Sequence, residues 1–414
     1  MDDLLSNPEV GNCFEAKAPE QVASAARWIA ARARAPYSLS PFLQRGAALR
    51  SSAGPAPRPR LCFLMAHQSS SSRGRVAVVA AKRTPIGKYM GSFADLSAAD
   101  LGVAAAEAAL SAGGVAPELV GEVYLGNGRQ AGGGPNVARQ ISVRAGVPET
   151  TCATTINMAC GSGLKTIVLG ADAIRRGDVE VALVGGTESM SGLPFLLPQM
   201  RRGYRLGHAP LVDAMYKDGF VCPLADMVMG ETAEGLAQDL GITRDEQDSF
   251  AVASQCKAGA AIEANRFADE LAPVTVSQRK GDIIVEADEH VRPDADMAKM
   301  AKLPAVFGEN FEGEGTVSPG NASGITDGAC AIVLASEAAC EQNGWTPLAF
   351  VGESAQSGVD PRRMGLGPVP ACVVKPRRPP RVERRVGGRP ECRARVQRQA
   401  RARDVASRAP GSTL

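Results

Sequence analysis

The feature that most constrains this chain is a cysteine that stands directly before an amphipathic helix. Cys160 is followed by the small residues Gly161-Ser162-Gly163, and apolar residues then recur at helical spacing until Gly177. The sequence therefore predicts a helix over 162–176. Unpaired N–H groups and the positive end of the helix dipole stabilise negative charge at such a position, so they favour the thiolate form of Cys160.

A nucleophilic role for Cys160 competes with a simpler interpretation. The neighbouring glycines leave room for a substrate to approach the sulfur, and the N–H groups of the turn would suit an oxyanion. Free cysteines, however, are among the most buried residue types and often only fill space in a core. The spacing alone leaves both interpretations open.

The composition excludes several other classes of protein. A formal net charge of +2 gives no reason to expect a nucleic-acid or membrane partner, and no apolar run reaches the length of a membrane-spanning helix. Ten cysteines in 414 residues, without a CxxC pair, indicate neither a disulfide framework nor a zinc site. A reducing compartment follows most simply, so we expect a cytoplasmic protein.

The pattern of elements predicts α/β layers. Apolar runs at 75–81, 122–125, 152–156 and 179–185 are typical of strands, and they alternate with helical patterns that include 135–145 and 162–176. Ser97 and Asp100 form a capping signal for a helix that ends at Gly113-Gly114.

The second part of the chain has a different pattern. A segment over 193–205 is irregular, and a helix over 229–240 ends at Gly241. Thr243 and Glu246 form a capping box before a helix over 244–264. The near-continuous apolar run over 329–336 predicts a strand that is buried on both faces, and 348–353 begins a further strand.

Five motifs together resemble one enzyme family. The sequence NMACGSGL around Cys160 resembles the nucleophile motif of thiolases, the acyl-CoA acetyltransferases, and further thiolase-like motifs follow the family's order at 83–87, 185–190, 229–234 and 320–324. The resemblance runs from about residue 74 to about 370. It implies an α/β fold with thiolase-like α-β-α-β-α layers, in which the N-terminal half and the loop domain are present and the C-terminal half is truncated.

The resemblance also suggests a domain organisation. We expect a disordered or mis-assigned extension over 1–73, a thiolase N-terminal α/β half over 74–190, a substrate-covering loop domain over 191–322, a return to the N-terminal half over 323–345, the start of the C-terminal half over 346–371, and an Arg/Pro-rich unstructured tail over 372–414. Residues 21–75 contain arginines but no acid, and Met65 is the favoured natural start. The alternative is an organelle-targeting segment over 1–64.

The tail changes character abruptly in the middle of the expected domain. It is interpreted as a solvated basic tail, as a nucleic-acid-binding tail, or, in better agreement with its Arg/Pro composition, as a frame-shifted reading of a GC-rich gene. The family's Asn-Glu-Ala-Phe, Gly-His-Pro and second-cysteine motifs are absent, and Cys392 does not match them. The three histidines, at 67, 208 and 290, lie in other contexts. We therefore expect impaired activity and an exposed apolar face.

The resemblance assigns substrate-binding roles to four residues. It implies that Arg292 meets the phosphates of coenzyme A, and that Met229, Phe307 and Ser323 line the pantetheine tunnel. Three of them have a plainer alternative: Arg292 as one of many exposed arginines, Phe307 as a core residue and Ser323 as the cap of a turn. Val228 stands where short-chain members of the family carry a histidine, so the acyl-chain length stays open.

The function implied by the resemblance is acyl transfer. Cys160 would carry an acyl group during the condensation of two acetyl-CoA molecules or the thiolysis of a 3-oxoacyl-CoA, without a metal or a redox cofactor. The expected partners are acyl-CoA and CoA, in a homodimer or homotetramer if the C-terminal half is intact. One alternative is a non-catalytic CoA- or lipid-binding protein on a decayed thiolase scaffold. Another is a decarboxylating β-ketoacyl synthase type enzyme, which the Gly-Ser-Gly after Cys160 and the long insert at 190–320 argue against.

Overall fold

The computed structural model describes residues 74–373 except 312 and 314. The predictions for the extension over 1–73 and for a start at Met65 lie outside these described residues. So does the unstructured tail predicted over 372–414, except for residues 372 and 373, which belong to a helix.

Most of the strands that the structure describes are short, and seven of them belong to one sheet. They are β1 (Val76–Arg83), β2 (Gly87–Lys88), β3 (Glu122–Gly126), β4 (Cys152–Ile156), β5 (Val181–Ser189), β6 (Phe195–Leu196), β7 (Val212–Asp213), β8 (Val221–Cys222), β9 (Met227–Val228), β10 (Val274–Val276), β11 (Ile283–Val285), β12 (Thr326–Ser336) and β13 (Ala349–Phe350).

The helices that the structure describes range from one turn to 20 residues in length. They are α1 (Ala98–Gly113), α2 (Val137–Arg144), α3 (Ser162–Arg176), α4 (Met229–Leu240), α5 (Arg244–Glu263), α6 (Met297–Met300), α7 (Glu337–Asn343) and α8 (Pro368–Val373), with a π-helical turn over Tyr216–Phe220. None of them is both long and apolar enough to cross a bilayer.

The main sheet is mixed, with the order β13-β1-β12-β5-β3-β4, and β2 pairs with β12. Strands β1, β12 and β5 are antiparallel, whereas β5, β3 and β4 are parallel. Strand β12 pairs with β5 from Asp327 opposite Ser189 to Ala335 opposite Val181. This extended ladder explains why β5 continues to residue 189, four positions beyond its predicted end at 185.

Helices cover both faces of the sheet, which confirms the predicted α/β layers. Helices α1, α2 and α7 bury one face in a large cluster that includes Leu101, Ile141 and Leu183. Helix α3 covers the other face in a smaller cluster that includes Ile174 and Val184. The side of α3 that faces away from the sheet carries exposed apolar residues, with Leu164 71% exposed.

Local capping signals predicted the helix ends well. The capping box of α1 is formed by Ser97 and Asp100, and α3 and α4 have the predicted bounds. The predicted helix over 135–145 is shorter in the structure, because Asn136 has φ 46° and accepts a hydrogen bond from the Arg139 N–H as the N-cap of α2. Strand β12 begins at Thr326, before its predicted start.

Two predictions about burial and irregularity were too broad. Strand β12 is continuously buried only at Val333, Leu334 and Ala335, since Cys330 near its start is exposed. The segment predicted to be irregular contains β6, which pairs with β7.

The start of α3 lies directly on glycines of the sheet. A Cβ at Gly126 would lie 2.7 Å from the backbone nitrogen of Gly163 and 2.7 Å from the carbonyl carbon of Ser162. Further along α3, a Cβ at Gly170 would lie 2.6 Å from Cγ1 of Val184. Helix α3 approaches β3 and β5 this closely because these positions have no side chain.

Gly126→Ala should therefore push the N-terminus of α3 away from β3. We expect the free energy of unfolding to fall by about 1–3 kcal/mol, the usual range for overpacking. Thermal unfolding of the variant measures this loss. Gly352→Ala is the matched control, because no atom lies within 4 Å of its added Cβ. Equal melting temperatures for the two variants would contradict the close-packing argument.

Candidate active site

Cys160 lies in a strained turn between β4 and α3. Ala159 has φ 46°, a left-handed conformation that is unfavourable for a residue with a side chain, and Gly161 is the N-cap of α3. Cys160 itself is exposed. Backbone strain of this kind persists where the surrounding structure enforces it, and it occurs often at active sites.

Hydrogen bonds hold this turn in place. Ser162 Oγ accepts the N–H of Met158 at 2.8 Å and donates to the carbonyl of Ala159 at 2.6 Å. The amide of Asn157 accepts the Ala159 N–H at 3.1 Å and donates to the carbonyl of Gly128 at 3.0 Å. The turn that carries Cys160 is thereby fixed to the loop that follows β3.

Two of the N–H groups expected to hold an oxyanion are already used within the turn. The N–H of Gly161 donates to the carbonyl of Met158 at 3.0 Å, and the N–H of Ser162 donates to the carbonyl of Ala159 at 3.1 Å. These two N–H groups already have acceptors within the turn. Fewer N–H groups are therefore left to hold an oxyanion than the position of Cys160 before a helix predicts.

Cys160 opens into a cleft of about 400 Å³. Its walls come from the ends of β1, β3, β5 and β12 together with the Cys160 turn. The polar or ionisable residues that line it include Arg83, Arg129, Glu188, Asp327 and Cys330. The cleft is large enough for a small acyl group.

Glu188 is the acidic residue that organises the loop after β3. Its carboxylate accepts the N–H of Gly128 at 2.9 Å, the N–H of Arg129 at 3.1 Å and the side-chain amide of Asn127 at 2.8 Å. Burial raises the pKa of Glu188, although these donors oppose that effect. The carboxylate thus holds the loop against the cleft.

Asp327 and Arg83 line the cleft from β12 and β1. Asp327 is buried and accepts hydrogen bonds from the N–H and the hydroxyl of Ser191 at 2.9 and 2.6 Å. Arg83 donates to both carboxylate oxygens of Asp288, at 2.8 and 3.1 Å, and to Glu270 at 2.6 Å. Arg83 therefore joins the cleft wall to the segment that precedes Arg292.

The structure separates the predicted substrate-binding residues from the Cys160 cleft. Met229, Phe307, Ser323 and Arg292 are not among the described residues that line it. The ring of Phe307 lies against Gly230, next to Met229 at the start of α4. Arg292 and Ser323 are both exposed.

Arg292 and Ser323 lie close to a contact between His290 and Gly324. The ring of His290, two positions before Arg292, lies against Gly324, which follows Ser323. The N–H of Arg292 donates to Gln255 on α5 at 2.8 Å. The four residues thus form two groups, Met229 with Phe307 and Arg292 near Ser323, and their roles stay predictions.

Sequence reasoning did not identify most of the cleft. Arg83 and Glu188 lie within motifs that resembled thiolases, yet no role was assigned to them. Arg129 and Asp327 gave no signal of their own, although Arg129 belongs to the Gly-rich loop after β3. Their only common feature in the sequence is a position at or just beyond the end of a strand.

The fold and cleft define an α/β protein with an exposed cysteine at the start of a sheet-packed helix. Residues 76–338 match the family model of the thiolase N-terminal domain. The acetyl-CoA acetyltransferase of Cupriavidus necator is 47% identical over 72% of this chain and 75% of its own length. The chain therefore belongs to the thiolase family, a family of acyltransferase enzymes.

Solved structures agree with this assignment. The Bacillus anthracis acetyl-CoA acetyltransferase has a TM-score of 0.70 and 39% identity, covering 73% of this chain and 76% of that one. Human mitochondrial 3-ketoacyl-CoA thiolase in complex with CoA has a TM-score of 0.66 and 43% identity, covering 72% and 74%. The expected thiolase-like fold is thereby confirmed.

The Arg83–Asp288 pair should make stability depend on pH. Burial alone would raise the pKa of Asp288, but hydrogen bonds from Arg83 and from the Ile86 N–H outweigh it and lower the pKa. A lowered pKa contributes stability above the ordinary aspartate value, and this stability is lost as the pH falls through the folded-state pKa. Asp288→Asn should therefore destabilise the protein by about 1.5–3 kcal/mol at pH 7.

Urea unfolding at a series of pH values checks this prediction. The difference between wild type and Asp288→Asn should shrink as the pH falls below the ordinary aspartate pKa of about 3.9, because the unfolded chain then binds a proton that the folded carboxylate still excludes. Glu337→Gln is the control, because its partner Arg75 is largely exposed and such pairs contribute less than about 1 kcal/mol. A deficit for Asp288→Asn that is the same at all pH values would exclude the charge-based explanation.

Proposed function

We propose that this chain transfers acyl groups between CoA thiols through a thioester on Cys160. The observation that carries the proposal is the position of Cys160: exposed, in a strained turn, at the start of α3 and open to a cleft. Membership of the thiolase family and relatives named acetyl-CoA acetyltransferase support the same reaction.

The reaction in the thiolysis direction has two steps. The sulfur of Cys160 attacks the C3 carbonyl of a 3-oxoacyl-CoA, the Sγ–C3 bond forms and the C2–C3 bond breaks. The electron pair stays on C2, which takes a proton and leaves as acetyl-CoA. The thiol of CoA then attacks the acyl-cysteine, gives up its proton and leaves as an acyl-CoA, while the Cys160 thiol is regenerated. The reverse sequence condenses two acetyl-CoA molecules into acetoacetyl-CoA and CoA.

The described residues contribute positioning and electrostatics to these steps. The hydrogen bonds of Ser162 and Asn157 fix the turn that carries Cys160 relative to the cleft. Glu188 holds the loop that forms one wall. Ser162 and Gly163, at the start of α3, line the cleft and lie against Gly126 of the sheet.

We propose further that turnover by this chain is low. The sequence lacks the family's histidine and second-cysteine motifs, and neither His208 nor His290 is among the described residues that line the cleft. Acylation of Cys160 needs the nucleophile, whereas efficient deacylation also needs a group that moves protons. A second candidate, CoA or lipid binding without catalysis, is the outcome if Cys160 is never acylated.

CoA binding is proposed for the two groups outside the cleft. Arg292 would meet the phosphates of coenzyme A, and Met229, Phe307 and Ser323 would contact the pantetheine arm. The exposed guanidinium of Arg292 and a solved relative in complex with CoA support this assignment. We also propose a cytoplasmic homo-oligomer, supported by the composition and by the exposed edge strand β4.

Cys160→Ala should abolish formation of the acyl-enzyme. Wild-type chain incubated with acetoacetyl-CoA should gain the mass of one acetyl group, which intact-protein mass spectrometry detects, and should release acetyl-CoA faster than it completes further turnovers. Cys152→Ala is the matched control, because Cys152 is also exposed but does not line the cleft. Acylation that survives in Cys160→Ala would remove Cys160 from the mechanism.

Arg292→Gln should weaken the binding of substrates that carry the whole coenzyme. We expect KM for acetoacetyl-CoA to rise about 10-fold, the effect of losing one charge-assisted phosphate contact, with little change for the acetoacetyl thioester of N-acetylcysteamine. Arg279→Gln, at another exposed arginine, should leave both values unchanged. Equal losses for the full and the truncated thioester would contradict a phosphate contact.

A further inference from the structure

Arg129 is a charged cleft residue to which the proposed reaction gives no role. It follows β3 and lines the same cleft as Cys160. Its guanidinium carbon lies 5.3 Å from the centre of the Phe220 ring, and its Nε lies where a side chain at Gly219 would begin. The glycine and the aromatic ring therefore fix this cation at the cleft wall.

Arg129 forms no salt bridge within the part of the chain that the structure describes. Its Nε is buried and has no hydrogen-bond acceptor. Arg83, the other arginine that lines the cleft, is paired with Asp288. Glu188 attracts the guanidinium of Arg129, but its oxygens accept the N–H groups of the loop. Asp327, the other carboxylate of the cleft named above, accepts hydrogen bonds from Ser191.

A partly buried cation that forms no salt bridge keeps unused hydrogen-bond donors, and an anionic ligand would satisfy them. The ring of Phe220 offsets part of the cost of burying the cation through its π face. A carboxylate matches the remaining donors, because a guanidinium binds its two oxygens in parallel. The cleft thus combines a nucleophile with a fixed receptor for an anion.

We propose that Arg129 binds a terminal carboxylate on the acyl chain, so that the cleft selects 3-oxoacyl-CoA thioesters of dicarboxylic acids. The inference rests on the proposed acyl transfer at Cys160. During thiolysis the part of the chain beyond C3 stays on Cys160, so a cation in this cleft contacts the acyl group. The phosphates of CoA lie at the other end of the pantetheine arm.

The test compares two ligands of equal chain length. 3-Oxoadipyl-CoA ends in a carboxylate, and 3-oxohexanoyl-CoA ends in a methyl group. Calorimetric titration of the full chain carrying Cys160→Ala measures binding without acyl transfer. We expect this protein to bind 3-oxoadipyl-CoA about 10- to 100-fold more tightly, as one charge-assisted contact provides, and Arg129→Leu to remove the preference.

Two further variants separate recognition from folding. Gly219→Ala should remove the same preference, because its Cβ would displace the guanidinium while leaving the charge in place. Arg144→Leu is the control, since Arg144 is exposed and pairs with Asp100 outside the cleft. Unchanged melting temperatures for Arg129→Leu establish that the protein still folds.

The outcomes distinguish this inference from the proposed function. Equal affinities of the protein with Arg129 for the two ligands would overturn carboxylate recognition. An equal loss of affinity for both ligands in Arg129→Leu would also overturn it, and would instead assign Arg129 to CoA binding or to the stability of the fold. A preference that disappears in Arg129→Leu supports the inference even if the wild-type chain never acylates Cys160, in which case only the catalytic proposal fails.

Discussion

The position of Cys160 depends on the close contact between helix α3 and the glycines of the sheet. The backbone of α3 lies so near β3 that Gly126 has no space for a side chain beside Gly163. The chain therefore has to turn sharply between β4 and α3, and Ala159 adopts its left-handed conformation in that turn. The close packing of α3 and the backbone strain at Ala159, next to Cys160, are thus two consequences of one constraint.

The polar residues around the turn make this arrangement rigid. Asn157 joins the turn to the loop after β3, and Glu188 on β5 collects the N–H groups of Gly128 and Arg129 from the same loop. Side chains of two segments and a neighbouring strand therefore fix one another. A site organised in this way needs little reordering when a substrate binds, which favours both affinity and reaction.

Local signals in the sequence were sufficient for the helices but not for the cleft. The capping box of α1 and the glycine after α4 depend on residues three or four positions apart, so they can be read directly. Arg83, Glu188 and Asp327 lie on β1, β5 and just inside β12, which are distant in the chain and adjacent only through strand pairing. The order of the strands in the sheet is set by tertiary structure, so the hydrophobic periodicity of each strand does not predict it.

Charge rather than apolar packing joins the cleft wall to the segment that contains Arg292. Asp288 binds Arg83, and Glu289 accepts hydrogen bonds from the N–H of Lys88 and from the N–H and hydroxyl of Ser92. Consecutive carboxylates thus hold the chain from Arg83 to Ser92, the first part of the segment between β1 and α1. The CoA contacts proposed at Arg292 would therefore act on a segment that is fixed to the wall of the Cys160 cleft. Binding of the coenzyme and alignment of the thioester with the sulfur are expected to be linked for this reason.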